Sequence, residues 1–183
     1  MRAPQSFIVT PKHKKYKEGK EMGGKVFETT TSIENAKDVS QEVIVVALPM
    51  NYKGEIEVGD EVIIHHNIFR AYYNQQGKLT FSRAYLYDDM YHVIPEEVFL
   101  YKKNGKWKPF MDVCFVRPIK EDNISVLEGL ELMHTGEVVW SNIHPTDTVV
   151  GFTPESEYVV EVDGEKYYKM RDVDICLYER FSI

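Results

Sequence analysis

The sequence predicts an all-β protein, and three observations support this fold class. Aromatic residues make up 13% of the chain, with 12 tyrosines and 9 phenylalanines, and such residues favour strands over helices. No window of helix length sustains a 3.6-residue apolar period, and the nearest candidate, residues 123–133, is interrupted by Gly129. Apolar and polar residues alternate over residues 158–162, and an Asp163-Gly164 pair typical of a β-hairpin turn follows.

Strands are predicted along the whole chain from short runs of β-branched and aromatic residues between turn residues. Those of the first half cover residues 6–11, 41–48, 60–67, 90–94 and 98–102. Those of the second half cover residues 111–118, 136–141, 148–152, 158–162, 167–170 and 175–178. A breaker-rich hinge with Asn, Gly, Lys and Pro lies between the halves, at residues 104–109.

The two halves repeat one pattern of short segments. Four segments recur in the same order, and the offset between matched residues falls from 107 through 95 and 87 to 77. The matched segments are residues 7–11 with 114–118, 41–45 with 136–140, 59–64 with 146–151, and 98–101 with 175–178. Two copies of one fold give a falling offset when each connecting loop is shorter in the second copy. We therefore predict two tandem β-barrel units, residues 1–103 and 105–183, with a single irregular β-domain as the alternative.

Composition narrows the class of function. The chain has 183 residues and a net charge of −7, which argues against a nucleic-acid binder that works by neutralising phosphates. Cys114 and Cys176 lie inside apolar runs, which favours free thiols in a reducing compartment, with a single disulfide between them as the alternative. The apolar runs are too short for a signal peptide or a membrane span. We expect a cytoplasmic protein that binds another protein, and neither a membrane nor a nucleic acid.

The sequences of several segments resemble those of the GroES-type co-chaperonins. The C-terminal segment reads EYVVEVDGEKYYKMRDVDI, similar to the family's closing hairpin, and the second half also carries DVCFVRP and TGEVV. The first half keeps GDEVIIHHN but adds a long insertion at residues 70–89. The whole chain is similar to enlarged phage-type members, in which HHNIFR, LYKKNGKWK and GFTPESEY have counterparts. The resemblance covers most of both halves and implies a GroES-like β-barrel in each.

The resemblance implies a function without chemistry of its own. Members of the family form a ring, usually a heptamer, that caps an ATP-driven chaperonin of the GroEL type. A loop that is flexible in the free protein carries a short apolar tripeptide into a groove of the chaperonin. Such binding stays moderate in affinity because ordering the loop costs free energy. We expect a homo-oligomeric ring, with contacts through the terminal strand at residues 175–181, a host or phage chaperonin as the partner, and no cofactor.

Residues 12–40 form the first candidate for the chaperonin-binding loop, because this connection is longer than a compact domain needs. It contains Gly23, Gly24, Val26 and Phe27, which resemble the family's Gly-Gly-apolar segment although a lysine stands between the glycines and the valine. Ile33 is a further candidate anchor. The alternative is that residues 26–30 are a strand of the barrel.

The second candidate loop covers residues 121–133. It offers the apolar residues Ile124, Val126 and Leu127 among polar neighbours. The alternative for this segment is a short amphipathic turn packed on the barrel.

No residue pattern predicts an enzyme or a metal site. His65 and His66 would point to opposite faces of a strand and could not share one ion. The basic run at residues 12–17 is predicted to be a solvated loop, and Asp88 and Asp89 to be turn acids. The remaining candidate histidines lack a serine or cysteine nucleophile nearby in sequence, at positions His92, His134 and His144. The alternative to a co-chaperonin is a structural or assembly β-barrel protein of a phage virion.

Overall fold

The computed structural model describes residues 3–16, 21–22, 25–26, 39–120 and 131–178. In these ranges the chain forms antiparallel strand pairs and short 3₁₀ turns without an α-helix, so the all-β prediction is confirmed. A helix long and apolar enough to cross a bilayer is likewise missing from these ranges. The chain divides into two compact units, Met1–Asn104 and Gly105–Ile183.

The first unit contains nine strands in chain order. They are β1 (Phe7–Pro11), β2 (Glu21–Met22), β3 (Lys25–Val26), β4 (Glu42–Ala47), β5 (Glu61–Ile64), β6 (Ala71–Tyr73), β7 (Leu79–Phe81), β8 (Tyr91–Val93) and β9 (Val98–Lys103). Five of them pair in the order β9-β5-β4-β1-β8, and every pair is antiparallel. The strands β2 and β3 form a separate two-stranded ladder, as do β6 and β7.

The second unit contains seven strands. They are β10 (Lys106–Pro109), β11 (Val113–Lys120), β12 (Glu131–Trp140), β13 (Val149–Phe152), β14 (Tyr158–Val162), β15 (Glu165–Arg171) and β16 (Ile175–Tyr178). Six of them form one antiparallel sheet in the order β14-β15-β11-β12-β13-β16. The hairpin β14/β15 turns at Asp163 and Gly164, whose φ angles of 50° and 84° are those of a two-residue hairpin turn, as predicted.

Alternation along the strands builds a core in each unit. In β4 the side chains of Val43, Val45 and Ala47 are buried, and the residues between them are partly exposed, as the two-residue period of a strand requires. A core cluster of the second unit draws one or two side chains from each of four strands, namely Cys114, Val116, Val138, Val150, Phe152 and Met170. Burial of large apolar side chains contributes about 1.5–3 kcal/mol each and dominates the stability of both units.

Bulges and short turns recur at defined places in the two sheets. The register shifts between Ile8 and Val9 where β1 pairs with β4, and between Phe115 and Val116 where β11 pairs with β12. It also shifts between Ile63 and Ile64 in the pair β5/β9, and between Gly151 and Phe152 in the pair β13/β16. A 3₁₀ turn joins β8 to β9 at Pro95–Glu97, and another joins β15 to β16 at Asp172–Asp174.

Several predicted boundaries were wrong. The strand predicted for residues 60–67 ends at Ile64, and a 3₁₀ turn follows at His66–Phe69. The predicted hinge at residues 104–109 contains a tight turn and then the strand β10, in which Trp107 is buried. The insertion at residues 70–89 forms β6 and β7, which the sequence did not predict. The strand β12 begins at Glu131, so residues 131–133 are strand and not part of the second candidate loop.

Candidate functional site

The long connection between β1 and β4 leaves and re-enters the first unit at one point, which we call the root (Lys15, Tyr16, Val39 and Ser40). Tyr16 and Val39 form an antiparallel bridge, and the Ser40 amide donates to the Lys15 carbonyl over 2.8 Å. Val39 is buried, and the Tyr16 hydroxyl donates to the Phe69 carbonyl over 2.9 Å. The root therefore holds both ends of residues 17–38 on the body of the unit.

Lys15 has its ammonium group in an unusually enclosed position at the root. Its Nζ donates to the Tyr91 hydroxyl over 3.1 Å and forms an ion pair with Asp89. The same atom lies 6.0, 5.9 and 5.6 Å from the ring centroids of Tyr16, Phe81 and Tyr91, within the range of cation–π attraction. Burial disfavours the charge of Lys15, but the hydrogen bonds to Asp89 and Tyr91 outweigh it, so its pKa is raised. The ammonium is thus a cation that is held in place and surrounded by aromatic rings.

A cluster of aromatic rings packs around the groups that contact the Lys15 ammonium. The rings of Phe69 and Tyr91 meet edge to face with centroids 4.7 Å apart, and Tyr85 lies 5.4 Å from Tyr91. Phe81 and Tyr85 are 4.7 Å apart. Tyr91 is almost fully buried, and this burial raises the pKa of its hydroxyl. Because such ring pairs contribute beyond their buried area, the cluster fixes the groups that Lys15 contacts.

Lys12 makes a second polar cluster beside the root. Its Nζ lies 3.0 Å from Glu42 and 2.9 Å from Glu61, and Lys102 lies 3.4 Å from the same oxygen of Glu61. The hydrogen bond from Lys12 holds the pKa of Glu61 below its usual value. The pKa of Lys12 is raised, because these bonds outweigh the effect of burial. The prediction of a solvated basic run was therefore wrong at Lys12 and Lys15, whose partners lie far away in sequence.

A polar cleft of about 430 Å³ opens at the root. It is lined by Thr10, Pro11, His13, Lys14, Lys15, Tyr16 and Asp89. The lining carries both signs of charge, and its best-defined cation, Lys15, is neutralised by Asp89. Within the described ranges, His, Cys, Asp and Glu side chains form no group of three that could hold a metal ion.

Only part of the first predicted loop can be located. Val26 lies in β3, and its backbone is opposite Glu21 in the separate ladder with β2. The strand β3 is not one of the five paired strands of the first unit. The other predicted anchors of the two loops lie outside the described residues, namely Gly23, Gly24, Phe27, Ile33, Ile124, Val126 and Leu127.

The second candidate loop also starts and ends at paired strands. Lys120 lies opposite Glu131, and Pro118 lies opposite Gly136, so residues 121–130 leave and re-enter between β11 and β12. Gly136 is required by close packing, because a Cβ there would lie 2.8 Å from Val116 Cγ2 and 2.9 Å from the Arg117 carbonyl. The second unit therefore opens a segment between the same pair of strands, counted along its sheet, as the first unit does.

Four of the histidines have structural partners, namely His65, His66, His92 and His144. His65 and His66 do not point to opposite faces as predicted, because they begin a 3₁₀ turn, and their rings stack with centroids 4.7 Å apart. His92 Nε2 contacts the Arg83 carbonyl at 3.0 Å. His144 lies between the Tyr178 hydroxyl at 2.6 Å and the Asp172 carbonyl at 3.0 Å.

The outer strand of the second sheet exposes a group of apolar side chains. Leu177 and Tyr178 in β16 are 55% and 51% exposed, and Val173 in the preceding turn is 78% exposed. Ile143 is 65% exposed. Within the described residues β16 is the last strand of its sheet, and such an edge can pair with a partner.

A scan against protein-family models finds no matching family, and a search of curated protein sequences finds no match.

Proposed function

We propose that this chain is a GroES-like co-chaperonin, built from two tandem GroES-like units, that caps a GroEL-type chaperonin through the segment between β1 and β4. The observation that carries the proposal is the root. The root closes the base of the segment that contains the Gly-Gly-Lys-Val-Phe sequence. This segment connects β1 and β4, which hold the same places in the pairing order as β11 and β12, the strands that the second candidate loop connects.

The order of strand pairing supports the tandem reading. In the first unit five strands pair in the order β8-β1-β4-β5-β9, and in the second unit β15-β11-β12-β13-β16 follow the same scheme. Val9 lies opposite Val45, and Val116 lies opposite Val138. A bulge immediately precedes Val9 in β1, and another immediately precedes Val116 in β11. Bulges are specific local features, so their recurrence at matching places argues against chance similarity of two sheets.

The turns that precede β5 and β13 support the tandem arrangement too. The Gly59 amide donates to the Val45 carbonyl over 2.8 Å, and the Asp147 amide donates to the Val138 carbonyl over 2.8 Å. Both turn residues have positive φ, 95° and 59°.

The 3₁₀ turns add a third match. Pro95–Glu97 and Asp172–Asp174 each precede the last strand of the scheme. In each, the residue before the turn donates its amide to the acidic side chain three residues on, at 3.3 Å for Glu97 and 3.1 Å for Asp174.

The position of β3 favours the loop interpretation of Val26 over the alternative of a barrel strand. Its backbone pairs with β2 and not with the five strands that build the first unit. In the proposed mechanism Val26 and Phe27 enter an apolar groove of the chaperonin. Each contributes up to about 1.5–3 kcal/mol before the cost of ordering the segment is subtracted. A ring would present several such segments at once, so modest single contacts suffice for capping.

The test is native mass spectrometry of the purified chain, alone and with a GroEL-type ring plus ATP. The expected result is a ring of this chain that joins the chaperonin in a nucleotide-dependent complex. The double variant Val26→Ser/Phe27→Ser should keep its own ring and melting temperature and lose the complex. A matched control, Val58→Ser/Leu79→Ser, removes two apolar side chains that are 62% and 43% exposed elsewhere in the first unit, and it should bind normally. Normal binding by the double variant would contradict the assignment of the segment.

The second candidate function is a structural or assembly role in a phage virion. The exposed apolar group around β16 favours it, because a permanent assembly also needs such an edge. The same measurement separates the two: a stable assembly of the chain that ignores the chaperonin and ATP would favour the virion role.

A further inference from the structure

The insertion at residues 70–89 contacts the root at the side chain of Lys15. Phe81 in β7 contributes a ring 5.9 Å from the ammonium, and Asp89 contributes the ion pair. Tyr85, also in the insertion, packs on both Phe81 and Tyr91. The insertion therefore builds about half of the surround that encloses the ammonium.

The second unit contains no such feature in its described residues. There the residues between β13 and β15, which hold the places of β5 and β8 in the pairing order, are residues 153–164, and they contain β14 in place of a β6/β7 ladder. The insertion forms its own ladder, and it contacts Lys15, which lies next to the long connection between β1 and β4. It restrains that lysine and the backbone beside it.

The backbone beside Lys15 is the root itself. The Lys15 carbonyl accepts the Ser40 amide, and the next residue, Tyr16, forms the bridge to Val39. A side chain that is 18% exposed and bonded to both Asp89 and Tyr91 cannot rotate without breaking charge-assisted hydrogen bonds. Fixing Lys15 thus fixes the place where residues 17–38 start and end.

We propose that Lys15 is a positioning residue through which the insertion holds the root closed, and so sets where the chaperonin-binding segment emerges. The second half of this statement rests on the proposed function, and the first half does not. Holding the ends of a binding segment in place lowers the ordering cost on association, so the clamp raises affinity without itself touching the partner.

The test uses the full chain with four substitutions. Lys15→Met keeps the length of the side chain and removes the charge, and Asp89→Asn removes the ion pair from the insertion side. Lys15→Arg keeps the charge and should behave like the parent. Lys78→Met removes an exposed lysine within the insertion and serves as the matched control.

The first readout is hydrogen exchange of the Ser40 amide, which needs no partner. We expect Lys15→Met and Asp89→Asn to accelerate exchange of this amide at least tenfold more than exchange of the core amides, and the two other variants to match the parent. The second readout is affinity for the chaperonin ring with ATP, expected to fall five- to tenfold for the same two variants. A purely structural role would change the melting temperature and not the affinity of the folded protein.

Each outcome is decisive. Unchanged exchange in Lys15→Met would overturn the clamp. Faster exchange with unchanged affinity would overturn the positioning role. If Lys15→Met does not fold, the milder Asp89→Asn decides both points. If the parent itself does not bind the ring, the proposed function fails, and the exchange measurement alone still decides whether Lys15 closes the root.

Discussion

Tyr91 and Tyr168 hold corresponding places in the two sheets, and each accepts a hydrogen bond from a lysine. Tyr91 lies opposite Val9 and Tyr168 lies opposite Val116. Lys15 reaches Tyr91 over 3.1 Å, and Lys166 reaches Tyr168 over 3.0 Å. The environments differ, because Tyr91 is buried under the root whereas the Tyr168 contact is at the surface.

This difference predicts unequal effects of one chemical change. Tyr91→Phe removes a buried partner of a charged group and should lower the free energy of unfolding by about 1–3 kcal/mol. Tyr168→Phe removes an exposed bond and should change it by less than about 0.5 kcal/mol. Denaturant unfolding followed by circular dichroism compares the two. Equal losses would contradict the assigned burial of the Lys15 contact.

The buried thiol of Cys114 predicts a loss of stability at high pH. Burial, with a smaller effect of the Asp172 charge, raises the pKa of Cys114 from 9.0 to about 12. The folded state then binds more protons than the unfolded state between these values. The free energy of unfolding should therefore fall by about 1.4 kcal/mol per pH unit as the pH rises from about 9.

Two variants separate the alkaline contributions. Cys114→Ala should flatten the pH dependence between pH 9 and 10, whatever its effect on absolute stability. Tyr101, whose pKa is raised to about 12 by burial and by its bond to Glu55, adds to the fall above pH 10, and Tyr101→Phe should make that fall smaller. A parent protein whose stability is flat from pH 8 to 10.5 would contradict the protonated thiol.

The two cysteines should react with a thiol reagent at very different rates. Cys176 is exposed in β16, and Cys114 is fully buried and free. We expect one thiol to react within the time of unhindered chemistry and the second at the rate of opening of the unit. Two equally fast thiols would contradict the packing of Cys114 in the core.

Gly136 predicts a steric effect next to the second segment. Gly136→Ala would place a methyl group within 2.9 Å of the Arg117 backbone, so the strands must separate, at a cost of about 1–3 kcal/mol. The neighbouring Glu137→Ala is the control, since it removes only an exposed ion pair with Arg117 and should cost less than about 1 kcal/mol. Thermal unfolding measures both, and a neutral Gly136→Ala would show that β11 and β12 are less closely packed.

The exposed edge predicts self-association. Leu177→Glu puts a charge on β16 and should shift the oligomer to monomers in analytical ultracentrifugation. Leu79→Glu, at a similarly exposed leucine in β7, should leave the assembly unchanged. A parent chain that is monomeric at micromolar concentration would argue against the ring.

Under the proposed tandem arrangement, sequence matching predicts the corresponding strands better than the corresponding residues. The offset of 77 agrees with the structure, in which Tyr91 and Tyr168 share a register. The offset of 95 differs by two from the 93 that separates Val45 from Val138. A two-residue slip keeps every side chain on its face, so alternation alone cannot detect it.

The offset of 87 fails for a different reason. It matched Asp60 with Asp147 because the residues are identical, but the hydrogen bonds make Gly59 the counterpart of Asp147. What those positions share is a positive φ, which glycine and aspartate can both adopt.

The root could not be predicted from the sequence. The two hydrogen-bond partners of Lys15 lie 74 and 76 residues away, beyond any local pattern. One of them, Asp89, was predicted as a turn acid, and it does occupy a positive-φ turn with Asp88. Its role appears only when the insertion folds back, which strand propensity and charge patterns do not encode.

Trp107 and Trp140 are the two tryptophans of the chain, and both belong to the second unit. Trp107 is buried and donates its indole N–H to Asp163 over 2.7 Å, and Trp140 packs on Phe115 and Tyr167. Intrinsic tryptophan emission therefore comes from residues 105–183, whereas far-ultraviolet dichroism draws on the strands of both units. Emission and far-ultraviolet dichroism recorded on one sample would report whether the halves unfold together or one after the other.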